Sequence, residues 1–272
     1  MTGLGGAAIR ATQSALRSIG VAVEVGDGNA ATPLDDFLAD VDRDNSHDPF
    51  TLWTTAWNPA TADSVTVDRC AAAIRSFTQD DRPRAIEVPP RYWYLIPVLA
   101  NVSNTVEVRL INVIGLREPT AFVRNNLDSR LSKRHRRTKL GALTEKWICG
   151  VLSLDRMTRA GSRTVITLNQ LVTEPDRTLQ RLAKTVGLPL EASRAHPNEL
   201  MISRPRPASW TALDVWVPNI ELADLIYTEM STYSRAGHVG DDEGERRHRL
   251  DEIAEAYASH HGRKDSTQNS GG

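Results

Sequence analysis

The chain has 272 residues, 40% of them hydrophobic, enough to bury a large core without disulfide or metal staples. Its formal net charge of −1 excludes a global electrostatic pull toward nucleic acid or anionic lipid, and no apolar run reaches the length of a membrane span. Cys70 and Cys149 have no neighbours at metal-ligand spacing and the N-terminus has no signal-peptide pattern, so a soluble protein of the reducing cytoplasm is expected.

In chain order, Gly3-Leu4-Gly5-Gly6 reads as a tight turn, and helical spacing follows over 7–19, with Gly20 as its stop. A short β-type run covers 21–25. Amphipathic spacing predicts helices over 33–42 and 67–77. The run 85–88 reads as a strand stopped by Pro89-Pro90. An apolar helix is expected over 93–102, with Pro97 tolerated only near its first turn. The Val, Ile and Leu content of 106–116 makes it the clearest strand, and a helix over 120–131 follows. Leu143, Trp147, Val151 and Leu154 form the stripe of a core helix over 143–158. A strand over 163–168, a helix over 175–186 opened by Pro175, and a helix over 217–233 complete the apolar part. The remainder is charged. A helix over 241–261 and disorder over 262–272 are expected.

Strands alternate with helices, which predicts an α/β fold of three layers around a mostly parallel sheet. Its domain is expected over 1–236, with a charged, partly disordered tail over 237–272.

The N-terminal turn supports three readings. As a phosphate loop, it offers free backbone N–H groups and the positive end of a helix dipole to an anion. As a dinucleotide fingerprint, Gly3-x-Gly5-x-x-Ala8 has Glu24 at the end of the next strand, where a ribose-binding acid would fall. As plain structure, it is a turn that starts a helix. Both ligand-binding readings need a strand before the loop, and only Met1 and Thr2 precede Gly3. A start codon placed too late, or a truncated first strand, is the expectation.

Arg117-Glu118-Pro119 ends the clearest strand, at the edge where open α/β sheets bind ligands. An arginine there suits bidentate phosphate binding. Asn125 stands eight residues after it. Downstream comes Asn169-Gln170-Leu171-Val172-Thr173-Glu174-Pro175, then Thr178-Leu179, then Gly187-Leu188-Pro189. In this order the two segments resemble the sulfotransferase family, and the glycine turn resembles its donor loop in layout. The resemblance spans about 3–236 and implies a phosphate-loop α/β fold. It also implies transfer of a sulfuryl group from 3′-phosphoadenosine-5′-phosphosulfate (PAPS) to a hydroxyl or amine of a small-molecule or carbohydrate acceptor.

It assigns the 5′ end of the donor to the loop at Gly5, Gly6, Ala7, Ala8, Ile9 and Arg10, and the 3′-phosphate to Arg117 and Asn125. Where the family carries a basic residue, a serine and two hydroxyls in the loop, this chain has Gly6, Ala7, Ile9 and Arg10. Backbone N–H groups are what remain. Val88 stands at the position of the family's second cation, with Arg91 nearby. His47, Asp48 and Glu24 are the only local candidates for a general base, and each reads more readily as a loop or strand-end residue. The resemblance therefore implies a retained fold and nucleotide binding, with activity low or lost. A catalytically dead nucleotide- or partner-binding relative and an NAD-binding oxidoreductase are the alternatives.

The basic run Arg130 to Lys139 is readable as a solvated helix end or as an anion-binding surface, and lacks the aromatics of a base-stacking surface. Nucleic acid is disfavoured and no membrane is expected. Arg204 and Arg206 form a second basic loop, readable as surface or as a cover for the 3′-phosphate. The six tryptophans, Trp53, Trp57, Trp93, Trp147, Trp210 and Trp216, read as core or pocket walls.

Overall fold

The aliphatic run before Arg117 forms strand β4 (Ile111–Leu116), the centre of the sheet. The computed structural model describes residues 2–3, 6–24, 33–44, 63–78, 82–127, 132–159, 161–189, 219–236 and 242–268. β4 is flanked by β1 (Thr2–Gly3) and β5 (Ser162–Thr167), both parallel to it. A second parallel pair joins β2 (Ala22–Glu24) to β3 (Arg84–Ile86). The strand expected to be missing before the glycine turn is thus present as a two-residue stub, with Thr2 opposite Ile114 and Gly3 opposite Gly115.

Helices supply the rest. They are α1 (Gly6–Ser18), α2 (Pro33–Asp44), α3 (Ser64–Phe77), α4 (Ile96–Thr105), α5 (Pro119–Asn126) and α6 (Lys133–Thr158). After β5 come α7 (Leu168–Thr173), α8 (Pro175–Val186), α9 (Ile220–Ala236) and α10 (Asp242–Gln268). The fold is mixed α/β with parallel strands. No helix among the described residues is long and apolar enough to cross a membrane.

Side chains of β4 and β5 alternate between two cores, as strands buried on both faces must. Val113 and Ile166 pack with α1, α7 and α8, through Ala15, Leu16, Leu171 and Leu182 among others. Ile114, Leu116 and Val165 pack with α4, α6 and α9, where Trp93 and Trp147 are fully buried. Gly115 has no side chain to send to either. A Cβ there would stand 2.7 Å from Thr12 Oγ1 and 3.2 Å from the Ala8 carbonyl, so glycine is what lets α1 lie directly on β4.

Several boundaries move. The strand expected over 106–116 starts at Ile111, because α4 runs to Thr105 and the chain then turns through Glu107 at φ 58°. The helix expected over 93–102 splits into a tight 3₁₀ segment (Pro90–Leu95) and α4, with Pro97 in the first turn of α4. α6 begins at Lys133 rather than 143, where Ser132 caps it by accepting from the His135 N–H. α8 matches its expected span, from Pro175 in its first turn to the left-handed Gly187. Trp53, Trp57, Trp210 and Trp216 lie outside the described residues.

The charged helix expected over 241–261 is present as α10. Its Leu250, Ala254 and Tyr257 are buried in the same core as Ala223, Ile226 and Met230 of α9. The helix continues to Gln268, through much of the segment expected to be disordered. Charge fastens it as well. Asp155 of α6, 1% exposed, accepts from Arg163 of β5 at 2.7 Å and from Arg159. Arg159 in turn donates to both carboxylate oxygens of Asp251 on α10 at 2.8 Å.

Asp155 is the buried hub of that network, and removing it leaves the Arg163 guanidinium, 6% exposed, without its main counter-charge. Asp155→Ala is expected to destabilise the fold by about 3–5 kcal/mol. Asp251→Ala, at an exposed carboxylate, is expected to cost under about 1 kcal/mol. Urea denaturation of both variants checks this, and equal losses would mean that Asp155 is not the hub.

Candidate functional site

Parallel strands end together, so the carboxyl ends of β1, β4 and β5 share one edge of their sheet. The pairing of Gly3 with Gly115, and the contact of Ala8 and Thr12 with Gly115, bring the start of α1 beside the end of β4. The N–H groups of Gly6, Ala7 and Ala8, in the first turn of α1, have no partner within the helix.

Arg117 follows β4 directly. Its carbonyl accepts from the indole N–H of Trp147 at 3.1 Å, which fixes the backbone from which the side chain leaves. The guanidinium is half-buried. With its carboxamide oxygen toward the guanidinium, Asn125 accepts from both terminal nitrogens of Arg117, each at 2.8 Å. The Arg117 Nε is buried and meets no hydrogen-bond acceptor among the described residues.

The electrostatics are those of a positive cluster. Burial lowers the pKa of Arg117, and repulsion from Arg124 lowers it further. Glu118 acts the other way, and Arg10 adds to the repulsion. Arg10 on α1, Arg117 after β4 and Arg124 on α5 therefore share one neighbourhood. The nearest acid is itself perturbed. Burial raises the Glu118 carboxyl, Asp224 of α9 raises it further, and Arg117 and Arg124 oppose both. Arg10 and Arg124 thus both lie within Coulombic reach of Arg117, beside an acid whose charged form burial disfavours.

The expected residues distribute as follows. Arg10, Arg117 and Asn125 lie in the cluster. Gly6 opens α1, and Ala7 is half-buried. Ala8 and Ile9 turn their side chains into the protein, so only their backbone N–H groups are available to a ligand. Gly5 lies outside the described residues, as do His47, Asp48, Arg204, Arg206 and the side chain of Arg91. Val88 is buried in the larger core, and its carbonyl accepts from Trp93 Nε1. Glu24 is ion-paired with Arg84 at 2.9 Å across the β2–β3 pair.

Sequence reasoning missed Arg124, whose signal was its place beside Asn125 in the helix expected over 120–131. It also missed the opposition of Glu118 and Asp224, which has no sequence signal, because α9 lies about a hundred residues downstream.

Other chemistries find less support. Among the described residues no cluster of three or more His, Cys, Asp or Glu could hold a metal. Burial pushes the Cys70 thiol up to about 12 and the Cys149 thiol up to about 11, so neither is a thiolate nucleophile at neutral pH. A cavity of about 290 Å³, lined by Ser103, Asn104, Arg109, Arg159 and Ser162, opens at the amino edge of the sheet. It lies one strand length from Arg117, roughly 20 Å, on the edge that open α/β sheets do not use for ligands. Compared with known proteins, the chain matches no family model and no curated relative.

The folded protein raises the Glu118 pKa above its ordinary value, so this carboxyl stabilises most when protonated and costs stability as pH rises through that value. Glu118→Gln, which copies the neutral form, is expected to be more stable than wild type at pH 7 by roughly 0.5 kcal/mol. The gain should vanish near pH 4. Thermal melts at both pH values check this, and a loss of stability at pH 7 would mean that attraction to the arginines outweighs burial.

Proposed function

We propose that this chain is a sulfotransferase-like protein that binds PAPS, or its product 3′-phosphoadenosine-5′-phosphate (PAP), at the carboxyl edge of its sheet. One observation carries the reading. Arg117 and Asn125, which the resemblance pairs on the 3′-phosphate, touch each other beside the start of α1. The two cores on opposite faces of β4–β5 support the three-layer, phosphate-loop form of the fold.

In this reading the Asn125 oxygen occupies the donors that a phosphate would take. The 3′-phosphate draws the two terminal N–H groups of Arg117, and Asn125 turns its NH₂ toward the anion. The N–H groups of Gly6, Ala7 and Ala8 face the 5′ end. In the transfer, the acceptor oxygen or nitrogen forms a bond to sulfur while the bond from sulfur to the bridging oxygen breaks. The acceptor's proton is lost to a base, and PAP leaves. The charge that grows on the bridging oxygen needs cations close by. Gly6 has no side chain for this, and Val88 is apolar and buried. Each missing contact of this kind costs roughly a hundredfold to a thousandfold in rate. Binding therefore outlasts turnover, and a slow enzyme and a catalytically dead binder are the two forms of the proposal.

The dinucleotide reading draws less support. Its ribose acid, Glu24, is engaged by Arg84. The two sheet pieces allow either β3-β2-β1-β4-β5, the dinucleotide-binding order, or β2-β3-β1-β4-β5. Gln13 of α1 donates to Glu87, just past β3, at 3.0 Å. That contact supports β3 lying beneath α1, next to β1.

Isothermal titration tests the proposal. PAP is expected to bind and NAD to give no heat. Arg117→Ala is expected to weaken PAP binding by roughly tenfold to a hundredfold, the worth of a charge-assisted pair of hydrogen bonds. Equal PAP affinity in wild type and variant would sink the site.

A further inference from the structure

The end of α4 shapes the cavity at the amino edge. There the Glu107 N–H donates to the Asn104 carbonyl at 3.3 Å, and the Val108 N–H donates to the Ser103 carbonyl at 2.8 Å. This paired closure needs a left-handed residue after the helix, a place that glycine usually takes. Here the residue is Glu107, at φ 58°, a region strained for a side chain. The turn brings Arg109 back beside Ser103 and Asn104, and all three line the cavity. Arg159 at the end of α6 and Ser162 at the start of β5 line it as well. At about 290 Å³ it stands at the small end of ligand pockets.

Its wall is rich in open donors. Among the described residues Arg109 makes one hydrogen bond, from Nη2 to the Thr185 carbonyl at 3.2 Å, so Nε and Nη1 are open. The side chains of Asn104 and Ser162 make none among the same residues. Among them, too, no acid lines the cavity. Arg159 is already matched by Asp155 and Asp251, which leaves Arg109 as the charge in surplus. The carbonyls at the two helix ends are engaged. The turn takes those of Ser103 and Asn104, Arg163 and Thr158 take that of Asp155, and the Arg159 N–H takes that of Arg156. A cation gains little on such a wall, whereas an anion meets donors from three chain segments.

We propose that this cavity binds a small phosphomonoester, with its phosphoryl oxygens on Arg109, Asn104 and Ser162. Three diverging oxygens suit donors that arrive from three segments, and a planar carboxylate offers only two from one side. The remaining volume takes a body of a few carbons. Open α/β sheets place their substrate at the other edge, so the occupant is a second ligand, and the inference stands without the donor reading of Arg117.

Isothermal titration of the full chain with glycerol 3-phosphate, glycerol and succinate tests it, in a buffer free of phosphate. Glycerol 3-phosphate is expected to bind, glycerol to give no heat, and succinate to bind more weakly. Arg109→Gln should lose roughly tenfold to a hundredfold in affinity, and Asn104→Ala roughly fivefold or more. Arg117→Ala should keep wild-type affinity, which separates the cavity from the carboxyl edge. Urea denaturation shows whether Arg109→Gln is folded. Wild-type affinity in that variant overturns the proposal, and where it does not fold, wild-type affinity in Asn104→Ala does so instead. A wild-type chain that gives no heat with glycerol 3-phosphate also overturns it. So does succinate bound as tightly, and so does loss of binding in Arg117→Ala, which would put the anion at the opposite edge.

Discussion

Everything at the carboxyl edge follows from one close approach, that of α1 to β4 at Gly115. Ala8 and Thr12 occupy the space in which a side chain at 115 would stand. The helix can therefore lie on the strand with its start level with the strand's end. The pairing of Gly3 with Gly115 sets the same register from the backbone. Without that approach Arg10 would not lie within Coulombic reach of Arg117, and the free N–H groups of α1 would face elsewhere. Burial of both faces of β4 makes the arrangement rigid, because its alternate side chains are committed to two separate cores.

The two edges of the sheet treat arginine in opposite ways. At the amino edge Arg159 and Arg163 are matched by Asp155 and Asp251, with short and partly bidentate contacts. At the carboxyl edge Arg117 faces other arginines, and its two terminal nitrogens rest on a neutral amide oxygen. The acid beside it is pushed toward its neutral form. A fold that resolves its charges so completely at one end has not done so at the other. An incoming dianion would relieve the repulsion and replace a neutral acceptor with a charged one, which strengthens every bond Arg117 makes. On the proposed reading, the paired charges of the amino edge are built for cohesion and the carboxyl edge for a guest.

How much of this was legible in the sequence depended on the kind of signal. α8 was readable to the residue because proline and glycine punctuate both ends. Arg117 and Asn125 were brought together in the sequence only by the resemblance, and they touch because one strand end and one short helix form a local unit. The start of α6 was not, since a helical turn that buries nothing leaves no hydrophobic period. The start of β4 was misread because Val106 and Val108 belong to a turn that follows α4, and valine content alone does not separate the two. In α10 the residues Leu250, Ala254 and Tyr257 do keep helical spacing, but the charges around them hid a stripe this narrow. Asp224 meets Glu118 only after α5 and α9 have packed, and that lies beyond any local pattern.

On the proposed reading, the two positions without the family's cations, 6 and 88, differ in how firmly the fold holds the residues now there. Gly6 sits at the first turn of α1, where a longer side chain could project toward the ligand. Val88 is another matter. It is buried in the larger core, and the chain there is held by the bond from Trp93 to its carbonyl. A lysine at 88 would bury an ammonium among apolar neighbours unless its stem carried the charge out to the edge, and burying it unpaired costs several kcal/mol. Repacking around an apolar residue makes that position hard to reverse. On the proposed reading, the geometry that holds a nucleotide has been kept by the same contacts that hold the sheet together. The geometry that assists the leaving group belonged to single side chains, and those could be lost without unfolding anything.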